Sequence, residues 1–475
     1  MAQEKTKKNF GVWFREILDK AEIIDYRFPV KGFGCWMPYG FKIRKWTISL
    51  LRQLLDETGH EEVLFPSLIP ETLLDKESSH IKGFENEVFW ATKGGKKRLE
   101  VKLALRPTSE TVITPMMKLW VRSHTGLPKK VYQIGSIYRH ETKATTPLIR
   151  VREVTTFKEA FTFHASLEDA DNQVKEAIEV YKRFFDKLCI PYVLSERPEF
   201  DKFPGALYTM AFDTVFPDGK SLQIGTVHNL GQTFAKAFDA TFETIDGKQE
   251  FFYQTSYGIS ERAIAALIAI HGDSHGLILP PIVAPIQVIV VPITYKDVAE
   301  EVITACKKIT ETLRTAGFRV EIDLRNDLTP GSKYYEWEMR GVPIRVELGP
   351  RDLKANVVTI VRRDTLERFS KNESELISTI TDLLCNIEGS LKKKAWEQFE
   401  KHLHTALSID EAKKLLNNKA GIIAISWCGK SECGLKIEEQ TNGKTLGAPK
   451  DTKTQGSCPV CGSNATRIIR LARSY

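Results

Sequence analysis

The sequence predicts a mixed α and β protein of about three domains, and three observations carry that reading. Its 475 residues are about three times a common domain length. Residues 131–164 read as strand, polar loop, strand, with Arg139, Glu141, Arg150, Arg152, Glu153 and Glu159 set among β-branched and aromatic residues. Beyond Pro280, Pro281 and Pro285, strand and helix patterns alternate, and two pairs of cysteines follow near the end. Hydrophobic content of 42% and charged content of 27% are those of ordinary soluble globular protein. The net charge of +7 is compatible with a nucleic-acid partner without requiring one.

The first eight residues are charged and lack an apolar core, unlike a secretory signal. Val283–Ile293 is apolar but too short to span a membrane and holds two prolines. Of eight cysteines, four cluster late, which fits a reducing compartment better than a disulfide framework. A cytoplasmic protein without membrane association is expected.

In order, residues 11–25 show helical spacing of Val12, Phe14, Ile17, Leu18, Ala21 and Ile24. Residues 28–34 form a turn-rich entry to a second helix, Gly40–Thr58, and a strand, Glu62–Pro66. A strand over 103–105 stops at Pro107, and Thr108, Ser109 and Glu110 open a helix with ordinary capping chemistry. A strand starts at Val131, Lys143–Pro147 is loop, and residues 151–163 are a strand again. Charge within such strands is costly unless paired. The reading is either a surface hairpin or a platform gripping a polyanion and a small charged ligand.

Residues 165–190 form a helix with acids early. Tyr208–Val215 and Ser221–Thr226 form a hairpin through the turn 217–220. A strand over 251–257 leads into a nearly all-apolar helix expected over 258–270, whose Arg262 should meet an acid or an anion. Gly272-Asp-Ser-His-Gly276 matches a serine-hydrolase pattern but follows a helix instead of a strand. Gly219-Lys-Ser and Gly429-Lys-Ser lack the earlier glycine of a phosphate loop.

An α/β domain follows: strands at 287–293, 319–323, 344–348 and 356–362, helices at 297–316, 333–340 and 373–388. A Lys-rich helix at 390–404 opens the last segment. There Cys428, Cys433, Cys458 and Cys461 have the spacing of a closed, structural four-cysteine zinc site, with Gly429, Gly434 and Gly462 easing the turns.

These pieces resemble the class II aminoacyl-tRNA synthetases. Gly59–Pro66 is similar to their motif 1. Arg139-His-Glu141 with Arg150-Val-Arg152-Glu153 resembles motif 2, and Gly258–Arg262 with its apolar helix resembles motif 3. Leu105-Arg-Pro-Thr-Ser-Glu110, Asp201-Lys-Phe-Pro-Gly205, Thr226–Gln232, His271-Gly-Asp273 and Arg340–Asp352 narrow the resemblance to the prolyl-tRNA synthetases of archaeal and eukaryotic type, from about residue 10 to the C-terminus. The resemblance implies an antiparallel six- or seven-stranded catalytic sheet flanked by helices over 1–283, with motif 2 in 131–164 and motif 3 in 256–272. It implies an α/β anticodon-binding domain over 284–389, a zinc-bearing C-terminal α/β domain over 390–475, and a homodimer through motif 1.

The implied activity is ligation of proline to tRNA(Pro) through prolyl-adenylate, with ATP as substrate and magnesium. Arg139 and Arg262 are the implied catalytic residues. Thr108, Glu110, Arg139, Phe157, Glu159, Phe161, His228, Ser256 and Gly258 would bind proline. Arg139, Glu141, Arg150, Arg152, Gln223, Thr226 and Arg262 would bind ATP, and Glu338, Arg345 and Arg351 would read the anticodon. The alternative is a paralogue that activates proline or another small amino acid for a non-tRNA acceptor.

Three positions depart from the family pattern. Phe161 stands where a pocket His is common, Val154 where an aromatic stacks on adenine, and the loop 142–148 has a single basic residue, Lys143. Relatives often end in Tyr, so the carboxylate of Tyr475 is expected near the active site.

Overall fold

The computed structural model describes residues 9–77, 87–294, 299–450 and 456–475. Its largest sheet has seven strands in the order Glu61–Glu62, Lys129–Tyr138, Glu153–His164, Tyr253–Ser260, Ser221–Gly231, Tyr208–Val215 and Val193–Glu196. All neighbours pair antiparallel except the short edge strand at Glu61.

Strand alternation gives this sheet two different faces. One row across it is Tyr132, Ala160, Tyr257, Val227 and Met210. All five are buried in a core with apolar residues of the helices Pro38–Asp56, Leu167–Lys187 and Arg262–His271. The opposite face carries Gln133, Glu159, Gly258 and Thr226 in one row, and Val131, Phe161, Ser256, His228 and Thr209 in the next. The helix-covered face is mainly apolar, with Lys158 buried against Tyr181 and Tyr257, and the second face collects the carboxylates, hydroxyls and imidazole of the rows just named.

The helix expected from Gly258 starts at Arg262. Gly258 and Ser260 stay in the sheet, opposite Glu159 and Phe157, because pairing with a long neighbour satisfies their backbone. The Gly272–Gly276 segment is a joint between domains. Asp273 accepts from the backbone of His275 and Gly276 and forms a two-point ion pair with Arg363 at 2.6 and 3.0 Å. Gly276 has φ +139°, and a Cβ there would lie 2.3 Å from the Cα of Met339.

The next unit is a mixed five-stranded sheet ordered Val320–Ile322, Val288–Pro292, Ile344–Leu348, Val357–Arg362 and Arg368–Asn372, the last strand unforeseen. Its first helix is described from Ala299; the expected start at Asp297 lies outside the described residues. The two helices expected at 373–388 and 390–404 are one helix, Leu376–Glu400. Its interior Gly389 costs about 1 kcal/mol relative to Ala, less than burial of Leu383, Leu384, Ile387, Leu391, Ala395 and Phe399 returns. The boundary expected at 389/390 therefore falls within a continuous helix.

The C-terminal sheet has four strands ordered Leu403–Ala406, Ile422–Trp427, Arg467–Ala472 and Lys444–Gly447. Gly434 eases no turn: it lies in the helix Ser431–Thr441, where a Cβ would meet the Phe200 ring at 2.6 Å. Tyr475 packs against Phe10 and Phe216, and its hydroxyl donates to Asp218 at 2.7 Å. The C-terminal residue thus sits at the tip of the 208–231 hairpin and does not line the cavity described below. Among the described residues, no helix is long and apolar enough to cross a membrane.

The Asp273–Arg363 pair predicts a stability effect. Arg363 is almost fully buried, so Arg363→Ala leaves a carboxylate without its partner and should cost about 3 kcal/mol. Thermal denaturation should show the first unfolding transition several degrees lower, and an unchanged transition would mean that the pair is not holding the joint.

Candidate active site

A cavity of about 340 Å³ opens on the polar face of the seven-stranded sheet, within the range of small-molecule sites (about 300–1,000 Å³). Its wall includes Thr108, Glu110, Arg139, Glu141, Arg150, Phe157, Glu159, Gln223, Thr226, His228, Ser256, Gly258 and Arg262. Strand register accounts for most of this convergence, since Glu159, Gly258 and Thr226 are direct cross-strand neighbours.

One end is negative. Glu110 opens the helix Glu110–Trp120, yet neither Thr108 nor Ser109 caps that helix as expected. The Thr108 hydroxyl donates to Glu110 and, at 3.4 Å, to Glu159. The Ser109 hydroxyl donates to Glu159, and Ser256 donates to Glu110 at 2.8 Å. Behind them Gln133 donates to Ser109 at 2.7 Å and to Glu159 at 3.1 Å, while Arg106 donates to Gln133 at 3.3 Å. Tertiary partners outcompete the local cap because both carboxylates are buried and need donors more than the helix end does. Burial, then the neighbouring Glu110, pushes Glu159 up to about 7; burial also raises Glu110.

The other end is positive. Arg262 donates Nε to the Ile149 carbonyl at 2.9 Å. Burial, then Arg139 and Arg150, lowers it to about 10. Among the described residues it has no carboxylate at ion-pair distance, so the expected acid is absent and an anion is the fitting partner. Arg150 faces Glu141 at 3.4 Å. Arg139 donates Nε to the Pro107 carbonyl at 3.1 Å and is lowered by burial, against the fields of Glu87, Glu159, Glu110 and Glu141. Three guanidinium groups held close despite repulsion suit a polyphosphate.

Comparison with known proteins fits this geometry. Residues 89–271 match the class II tRNA synthetase core domain (G, H, P, S and T), 287–383 an anticodon binding domain, and 409–475 the prolyl-tRNA synthetase C-terminal domain. The chain is 54% identical over 479 residues to a proline–tRNA ligase of Saccharolobus islandicus, covering 100% of both. It is 53% identical over 478 residues to the proline–tRNA ligase of Metallosphaera sedula, again covering 100% of both. The chain belongs to the prolyl-tRNA synthetase family. Its fold superposes on Giardia lamblia prolyl-tRNA synthetase in complex with prolyl-adenylate, with a TM-score of 0.95, 36% identity and 99% of each chain covered.

Two of the cavity residues named from the prolyl-tRNA synthetase resemblance lie elsewhere. Arg152 donates to the Glu141 carbonyl at 3.3 Å behind the cavity wall. Phe161 is buried with Val131, Ile113 and Phe163. It is on the polar face, between Val131 and Ser256 in its row, but its side chain packs on the apolar side and lies outside the cavity. Val154 lines the cavity. His228 is held between Thr209 at 2.9 Å and Thr226 at 3.1 Å, against the Phe203 ring.

Sequence reasoning left out of the site Ser109, Gln133, Arg197, Asp201–Pro204 and Glu261. Ser109, Asp201–Pro204 and Glu261 lie within family-like stretches, whereas Gln133 and Arg197 carry no local signal. Glu261 lines the cavity and accepts from Thr155 and Thr156; burial pushes it up to about 7.

The anticodon candidates are together in part. Arg345 donates to Glu338 at 2.7 Å and Glu347 at 2.9 Å and stacks on Tyr334, while Arg351 is exposed on the short helix Pro350–Ala355. The four cysteine sulfurs of residues 428, 433, 458 and 461 lie within 4.8 Å of one another, and those of Cys428 and Cys461 are 3.8 Å apart. That is about the edge of a tetrahedron with ~2.3 Å metal–sulfur bonds, so the cluster fits a metal ion.

The carboxylate pair predicts a pH dependence. Glu159 holds its proton to about pH 7 in the free protein, and a cationic ligand favours its charged form. Affinity for a small ammonium ligand should therefore rise from pH 6 to about 7.5 and then level, with proton release on binding. By the same raised value, Glu159 stabilises the ligand-free fold below its unfolded pKa and loses that contribution as pH rises through 7. Calorimetric titration across that range checks it, and Glu159→Gln should flatten the profile.

Proposed function

We propose that this chain activates L-proline with ATP and joins it to tRNA(Pro), releasing pyrophosphate and then AMP. The observation that carries this reading is one cavity with a buried carboxylate pair at one end and three convergent guanidinium groups at the other. The substrate it suits has a cationic nitrogen, a carboxylate, and a polyphosphate to meet.

Glu110, Thr108 and Glu159 hold the imino nitrogen. Phe157, Ser256 and Gly258 shape the ring pocket, with His228 beside the aminoacyl group. Phe161 acts by packing and not by touching proline. Arg139, at the guanidinium end but within the fields of Glu159 and Glu110, bridges the proline carboxylate and the α-phosphate, so the carboxylate oxygen attacks phosphorus in line as pyrophosphate leaves. Arg150 and Arg262 hold the β- and γ-phosphates, and Glu141, Gln223 and Thr226 hold the nucleoside. Fixed positive charge supplies the acceleration, and no protein general base is required. In the second step the terminal ribose hydroxyl of tRNA attacks the carbonyl and AMP leaves.

Magnesium fits this site as an ion carried on phosphate oxygens. Of the cavity-lining carboxylates beside the guanidinium groups, Glu141 faces Arg150, and Glu261 has one oxygen committed to Thr155 and Thr156. They do not form an all-protein cage. Zinc suits the four thiolates of Cys428, Cys433, Cys458 and Cys461 as a structural ion with no open position. A homodimer through the edge strand Glu61–Glu62 is supported by exposed Leu64 and Trp120 around Phe65. Exposed Arg351 and the preformed Arg345–Glu338 pair suit reading of anticodon guanines. The activity belongs in the cytoplasm.

Amino-acid-dependent pyrophosphate exchange across all twenty amino acids tests the first step. Proline should lead, and Arg262→Ala should lower its exchange by about 10²–10³. Charging of a tRNA(Pro) transcript tests the second; exchange without charging would favour a non-tRNA acceptor. For the metal, elemental analysis should find one zinc per chain, and chelation should lower the melting temperature without abolishing ATP binding outright. A stable, metal-free protein would remove zinc from this account.

A further inference from the structure

We propose that Arg197 is a positioning residue for the nucleotide end of the site and that the C-terminal unit holds it in place. The proposal rests on the assignment of Gln223 to that end. Arg197 follows the edge strand Val193–Glu196 and lines the cavity. It is nearly fully buried, and partners from the following loop, the 208–231 hairpin and the C-terminal unit fix it. Its Nη2 donates to Asp213 at 2.9 Å and to Gln223 Oε1 at 3.5 Å; Nε lies 3.7 Å from Asp201. Its Nη1 donates to the Leu446 carbonyl, which belongs to the C-terminal strand Lys444–Gly447.

That strand is built to approach this closely. Glu196 and Ala448 exchange both backbone hydrogen bonds, at 2.8 and 2.9 Å. Between them Gly447 has φ +93°, and a Cβ there would fall 2.1 Å from the Glu196 carbonyl oxygen and 3.1 Å from Arg197 Cα. Arg470 adds donors to the Leu194 carbonyl and the Ser195 hydroxyl, both at 2.8 Å. One isolated antiparallel bridge, Glu196 to Ala448, thus ties the C-terminal unit to the edge of the catalytic sheet next to Arg197.

The consequence is a fixed amide. With its oxygen held by Arg197, Gln223 presents its NH₂ group to the cavity, a donor matched to base nitrogens or ribose oxygens. Asp213, whose second oxygen has no hydrogen-bond partner among the described residues, anchors the guanidinium. A lysine keeps the charge but cannot reach Leu446, Asp213 and Gln223 together, because it is a point charge and not a planar fork.

The test is pyrophosphate exchange by the full-length protein, with ATP and proline varied separately, for Arg197→Lys and Gly447→Ala, beside calorimetric ATP binding and melting temperatures. Each variant should raise KM and Kd for ATP at least about tenfold while KM for proline stays within about twofold. Arg197→Lys combined with Gln223→Ala should be no worse for ATP than the worse single variant, since both remove one coupled interaction. Unchanged ATP parameters in Arg197→Lys overturn the proposal. So do equal rises in both KM values with a lower melting temperature, or strictly additive effects in the double variant. Wild-type protein that shows no proline-dependent exchange would instead overturn the functional assignment.

Discussion

The site depends on buried charge that the protein leaves without an ionic partner. Glu110 and Glu159 are satisfied by hydroxyl and amide donors, and among the described residues neither has an ion pair. Arg262 likewise has a carbonyl and no carboxylate. Had the two ends reached each other, they would have neutralised and closed the cavity. The sheet prevents this. Glu159 is fixed by backbone ladders on both sides, to Lys129–Tyr138 and to Tyr253–Ser260, and Arg262 is fixed at the start of a helix packed beneath the same sheet. A rigid frame therefore keeps opposite charges apart, and the ligand supplies what each lacks. Such preorganisation is where electrostatic catalysis gains most, because no dipoles must turn during reaction.

The same frame explains what the sequence could and could not reveal. Parity along a strand is legible: Phe157, Glu159 and Phe161 share a face whatever their neighbours. Strand order is not, and it decides that Glu159 meets Gly258 and Gln133. Phe161 shows the limit of transferring a pocket position. Its row is polar at Ser256 and His228 but apolar at Val131, and it falls on the apolar side. Thr108 and Ser109 obey the local capping rule in sequence and break it in space, because buried carboxylates outbid a helix end. The cysteine spacing was legible because metal ligation is itself a spacing rule. Arg197 was not, since its partners lie at 201, 213, 223 and 446.

The two ends also divide the labour of selectivity. The carboxylate pair demands a cation, and proline, alanine and cysteine all carry one, so charge separates amino acids from neutral ligands but not from one another. Discrimination among them falls to shape. In the proposed pocket Gly258 leaves room beside the Phe157 ring: a Cβ at 258 would stand 3.3 Å from that ring and press on it. Closing a pocket excludes side chains larger than proline by overlap, which is steep. It admits smaller ones, which merely forgo contact, at a cost of about 1–3 kcal/mol per missing methylene. The geometry therefore sets a hard upper bound on substrate size and a soft lower one. On the proposed assignment the errors of such a site are alanine and cysteine, and they follow from shape around Phe157 and Gly258 and not from any weakness in how the nitrogen is held.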